Sequence, residues 1–103
     1  MDDRVIIHFP DGHTEAGDIF ISPTEIVFYK RNPMAVHMKG IASVLHRGQE
    51  SLRLNISGIV RGQKGKYKVG SDAYFITMRS GTTFVLCFYT PRRMIPYLDS
   101  LLR

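Results

Sequence analysis

Apolar and polar residues alternate along most of the chain with a period close to two, the spacing of strands that bury one face. RVIIHF (4–9) predicts a strand, PDGH a tight turn, and EAGDIFIS (15–22) the returning strand. SPTE turns the chain through Pro23 into EIVFYKR (25–31), so the N-terminal part reads as a three-strand meander. RNP breaks the pattern, and MAVHMKG (34–40) and IASVLHRG (41–48) read as shorter strands or one bent strand. SLRLNISGIVRG (51–62) follows with Leu52, Leu54 and Ile56 on one face. Gly58 interrupts it, as a glycine does at a bulge or a barrel corner.

The sharpest unit is YFITMRSGTTFVLCFYT (74–90), where Ser80-Gly81 marks a hairpin turn. A three-residue loop over 80–82 would pair Met78 with Phe84, Ile76 with Leu86 and Tyr74 with Phe88, placing six apolar side chains on one face. The pattern then changes period. Thr90 suits an N-cap and Pro91 a first helical residue, where its missing N–H costs nothing. Met94, Ile95, Leu98, Leu101 and Leu102 form one stripe of a helix over about 91–102. Pro96 removes the bond to the Arg92 carbonyl and predicts a kink or a short first turn. Arg92 and Arg93 lie at the positive end of the helix dipole, unfavourable by ~0.3–1 kcal/mol each. Either nearby acids offset them or they face a partner.

About seven strands over 4–89 followed by one helix make a mainly β, antiparallel β-sandwich or barrel capped at its C-terminus, within one domain spanning 1–103. GDIFISPTEIVFYKRN, AVHMKGIASV and YFITMRSGTTFVLCFYTPRRMIPYLDSLL stand in the order strand-turn-strand, crossing strand, hairpin, capping helix. In this the chain resembles the pleckstrin-homology-like superfold, GRAM-type and bacterial members above all. GQESLRLNISGIVRGQKGKYKVG also resembles the second half of a PilZ domain, a small barrel that binds cyclic-di-GMP. That family's arginine pair would need a second arginine beside Arg4. Its D/N-x-S-x-x-G falls on FISPTE, with Phe20 and Glu25 at required positions, so a PilZ-like chain would carry a degenerate ligand site.

Charge sharpens the picture. Residues 1–25 carry six acids against Arg4, net −5; residues 26–103 carry thirteen bases against three acids, net +10. Such polarity suits an acidic partner, an anionic surface or head-to-tail self-association. The single cysteine, Cys87, excludes an internal disulfide and fits a reducing, cytoplasmic setting. No apolar run approaches the ~18 residues of a membrane span, and MDDRVIIHF lacks a signal-peptide pattern.

Reactive chemistry finds little support. His8, His13, His37 and His46 lack metal-ligand spacing, Cys87 sits mid-strand among apolar residues, and the carboxylates show no pairing; no enzyme and no cofactor are expected. GIVRGQKGKYKVGSD (58–72) fails the phosphate-loop pattern, since Gly65-Lys66 precedes Tyr67 and Val60 stands where the first glycine belongs. It reads as a glycine-rich turn ringed by Arg61, Lys64, Lys66 and Lys68, either solvated or the rim of a binding surface. The pleckstrin-homology-like resemblance places phosphoinositide sites near the first strands' loop, here the acidic FPDGHTEAG, with only Lys30 and Arg31 nearby. The expected function is therefore a non-catalytic module docking a partner protein or multiprotein assembly through a basic surface, with Arg92 and Arg93 as further candidates. Anionic membrane or nucleic acid is the alternative partner, although Tyr67 is the one convincing base-stacking residue.

Overall fold

The computed structural model describes residues 1–31, 49–68 and 70–102. Among them the predicted meander folds as β1 (Asp2–His8), β2 (Thr14–Ile21) and β3 (Glu25–Lys30). Four more strands follow: β4 (Gln49–Asn55), β5 (Ile59–Tyr67), β6 (Ser71–Met78) and β7 (Thr83–Phe88). A C-terminal helix, α1, spans Pro91–Leu102. The seven strands form one sheet in the order β4-β3-β2-β1-β7-β6-β5, antiparallel throughout. The readings over 34–40 and 41–48, with His37 and His46, lie outside the described residues.

Gly58 marks a corner, as its position predicted, but the corner separates two strands where the sequence suggested one. Ile56–Gly58 is a single 3₁₀ turn between β4 and β5. Those strands are opposite ends of the sheet, yet three residues span only ~10 Å. The sheet must therefore curl until its ends meet at this turn. Backbone bonds fix the corner on two sides: the Ile56 N–H donates to the Thr24 carbonyl (2.9 Å), and the Arg79 N–H to the Gly58 carbonyl (2.8 Å). Curling brings Ile7, Ile19, Phe28 and Leu54 from one half and Tyr74, Ile76 and Leu86 from the other into one core.

The β6–β7 hairpin keeps its predicted apolar face but slides by two residues. Ile76 pairs with Phe84 and Tyr74 with Leu86. The loop is Arg79–Gly81, closed by the Met78 N–H donating to the Thr82 carbonyl (2.8 Å). A three-residue loop of this kind ends on a left-handed residue. Gly81 supplies it at φ 95°, so the glycine is the third loop residue rather than the second. An even shift leaves every side chain on its own face.

Helix α1 packs on β5, β6 and β7. Met94 and Leu98 are fully buried, and the buried Tyr74 hydroxyl donates to Asp99 Oδ1 at 2.8 Å. Thr90 holds the N-cap position, its carbonyl accepting from the Met94 N–H at 3.1 Å. Its side chain turns elsewhere: both its N–H and its hydroxyl donate to Asp3 Oδ2, at 2.8 and 2.9 Å. This carboxylate from β1 is an acid placed to offset the arginines at the dipole's positive end. The helix runs through Pro96, which lies on the exposed side, where water can serve the Arg92 carbonyl. No helix among the described residues is long and apolar enough to cross a membrane.

The helix approaches β5 closely because Gly62 lacks a side chain. A Cβ there would lie 2.5 Å from Leu102 Cδ1 and 2.7 Å from the Tyr74 hydroxyl. A Cβ at Gly58 would meet only Met78 Cε, at 3.4 Å. In urea denaturation, Gly62→Ala is expected to cost about 1–3 kcal/mol through overpacking. Gly58→Ala is expected to be neutral or stabilising by up to ~1 kcal/mol, through reduced freedom of the unfolded chain.

Candidate binding cleft

The stretch read as a glycine-rich loop is mostly strand. Gln63 pairs with Phe75, Gly65 with Ala73 and Tyr67 with Ser71. The turn proper begins at Lys68, which adopts φ 38°, and ends at Gly70, φ 80°. Glycines at 62 and 65 suggested a loop, but each sits where a neighbouring side chain leans over the backbone: Tyr74 and Leu102 on Gly62, Phe75 on Gly65.

Strand alternation then sorts the bases. Lys64 and Lys66 share the face of Gly62, the side on which α1 packs. Across from them Arg92 stands in the first turn of α1. Together they rim a cleft of about 510 Å³ whose floor includes Pro91, Ile95 and Pro96. Asp72, the cross-strand neighbour of Lys66, forms an ion pair with it. The Lys66 hydrogen bond and charge, with Arg92 adding to them, hold the Asp72 carboxyl below its ordinary value. Three cations against one carboxylate leave the cleft electropositive, and its floor is apolar.

The other candidate bases lie elsewhere. Arg61 projects from the opposite face of β5. Lys68 places its ammonium 5.4 Å from the centre of the Tyr67 ring, which itself stacks near His8 with ring centres 4.3 Å apart. Burial first, and the Lys68 charge second, lower the His8 pKa. Arg93 donates to the Asp2 carbonyl at 2.5 Å, fastening the helix to β1. Arg31 reaches Asp18 at 3.7 Å, and Lys30 ends β3, exposed to solvent. Lys64, Lys66 and Arg92 are thus the candidates brought together. The residues missed in the sequence are the floor, Ile95 and Pro96. The available signal was Ile95, adjacent to Met94 in the stripe, which makes the apolar band broader than its two fully buried residues, Met94 and Leu98, require.

The β1–β2 loop is acidic and internally committed. His13 hydrogen-bonds Asp11 through Nδ1 and Glu15 Oε2 through Nε2, the latter at 2.8 Å, and its ring stacks on Phe9. The Ser51 hydroxyl of β4 donates to Glu15 Oε1 at 2.6 Å, so the cluster ties the loop to a more distant strand. Burial raises the thiol pKa of Cys87, on β7, and disfavours the thiolate. Among the described residues no group of three His, Cys, Asp or Glu side chains is placed to hold a metal ion.

No protein-family model matches the sequence, and no curated protein matches it.

The Glu15 bond, then the Asp11 bond, raise the His13 pKa above 6.5. Asp11 is lowered from 3.8, chiefly by the His13 N–H. Glu15 is lowered from 4.5 because Ser51 and His13 together outweigh its partial burial. A raised histidine stabilises fully below its unfolded value and loses that contribution as pH rises through its folded value; the lowered carboxylates lose theirs as pH falls. The loop is therefore held most firmly between pH 4.5 and 6.5. An NMR titration of the His13 ring is expected to show a midpoint above 6.5 that Glu15→Gln returns toward 6.5; a wild-type midpoint at or below that value contradicts the assignment.

Proposed function

We propose that this chain is an interaction module rather than an enzyme, and that its β5–α1 cleft docks an acidic segment of a partner protein. The supporting observation is the pairing of a cationic rim, Lys64, Lys66 and Arg92, with an apolar floor at Pro91, Ile95 and Pro96. A peptide presenting carboxylates around an apolar side chain satisfies both parts. Phosphate groups alone would leave the floor unused, and point charges on flexible lysine stems impose little headgroup geometry. The acidic β1–β2 loop also disfavours an anionic membrane approaching from that side. A pleckstrin-homology-like frame agrees with this reading: antiparallel strands closed by a C-terminal helix, with recognition carried on the surface and no reactive centre assigned.

The direct test uses a fluorescein-labelled peptide of alternating glutamate and leucine, with phosphatidylserine vesicles and single-stranded oligodeoxythymidylate as comparison probes. The peptide is expected to bind most tightly, and to weaken steeply as added salt screens the rim. Lys64→Glu with Arg92→Glu is expected to weaken it by about tenfold or more, while Arg61→Glu, on the other face of β5, leaves it unchanged. Preferential binding of vesicles or oligonucleotide, or indifference to the double variant, would overturn the assignment.

A further inference from the structure

A second hollow, of about 600 Å³, opens on the outer face of the central strands. Its origin is a matter of register. Ile6 of β1 stands between Ala16 on β2 and Cys87 on β7, a branched residue between two small ones. Gly17 beside them can carry no side chain, because a Cβ would lie 2.1 Å from the Tyr29 carbonyl oxygen. The neighbouring row is taller: Arg4 lies across from Asp18 and is bonded through its carbonyl to the Tyr89 N–H at 2.9 Å. The small row is the floor and the tall row one wall. Asp72 and Pro91 form a further wall and divide this hollow from the β5–α1 cleft, since they line both.

Apolar and aromatic surface lies open here. Ile6 is 47% exposed and Tyr89 73%. Two arginines and one carboxylate line the hollow. Asp72 is engaged by Lys66, and Arg31 reaches Asp18. Arg4 forms no ion pair among the described residues. The unbalanced charge of the hollow is therefore a single guanidinium, standing beside an exposed phenol ring and an exposed isoleucine.

We propose that this hollow binds a small organic anion with a flat apolar body and one carboxylate or sulfonate. The body lies on Ile6 and against Tyr89, where an aromatic face adds specific stacking. The anionic group meets Arg4, whose planar fork grips a carboxylate through two parallel bonds. The volume falls in the range of about 300–1,000 Å³ usual for small-molecule sites. Cys87 on the floor reports occupancy, since a bound ligand shields its thiol. This site does not depend on the peptide-docking reading of the neighbouring cleft.

The probe is 1-anilinonaphthalene-8-sulfonate, an apolar aromatic carrying one sulfonate. Its fluorescence is expected to rise to saturation at one probe per chain, to fall on adding 2-naphthoate, and to accompany slower alkylation of Cys87 by iodoacetamide. Ala16→Leu fills the floor and is expected to abolish the signal. Arg4→Met is expected to weaken binding about tenfold, and Lys64→Glu to leave it unchanged. Both Ala16 and Arg4 are exposed, and near-UV circular dichroism of each variant separates lost binding from lost packing, a loosened core itself being able to bind the dye. An unsaturable signal, or full binding by a folded Ala16→Leu or Arg4→Met variant, overturns the proposal.

Discussion

The turn at Ile56–Gly58 constrains everything around it. Two strands at opposite ends of a seven-stranded sheet are joined by three residues, so the sheet has no flat solution. It must roll until β4 and β5 approach at this corner. Rolling makes one face an interior and gathers side chains from both halves into a single core. The same roll leaves the β5–β7 side needing a lid, and the apolar stripe of α1 supplies it. Each step follows from burying apolar surface with a connection too short to permit any other shape.

The candidate cleft is a by-product of that lid. Gly62 lets α1 settle close to β5 at the Leu102 end. At the other end Pro91, Ile95 and Pro96 line the cleft together with Lys64 and Lys66. The cations sit on its rim for two separate reasons, strand alternation on β5 and the first turn of α1. Their neighbour Asp72 tempers the field without cancelling it. The bases that proximity in sequence would have grouped with them, Arg61 and Lys68, are turned away by the same alternation and by the turn at Lys68.

Elements were legible where periodicity and end signals agreed. The first three strands and α1 carry strong alternation or a clear stripe, and Thr90-Pro91 marks the helix start. Register was less legible. The β6–β7 hairpin depended on which loop position Gly81 would occupy, a backbone matter that apolar patterning cannot resolve, since a slide by two preserves both faces. The start of β5 reads as strand in the sequence, but its later half reads as a glycine-rich turn, whereas Gly62 and Gly65 yield room to Leu102, Tyr74 and Phe75. Strand spacing extends over Lys64, Lys66 and Lys68, but only Lys64 and Lys66 lie within β5 and share its side. Their meeting with Arg92, some twenty-six positions away in sequence, is a product of helix docking, and nothing local encodes it. The roles of Thr90 and Asp3 illustrate the same limit: a cap was foreseeable, but its side chain is recruited by a carboxylate 87 residues earlier.

That clasp between Asp3 and Thr90 has a bearing on how the chain acquires its shape. β1 is synthesised well before one of its two neighbours, β7, and before the residue that grips Asp3, 87 positions later. The β1–β3 meander can pair within itself, but β1 keeps an unsatisfied edge until β7 arrives. Such distant closures carry a large entropic cost before they are rewarded, and they slow folding relative to chains built from local contacts. The rolled sheet is thus closed as a ring is, by β7 meeting β1.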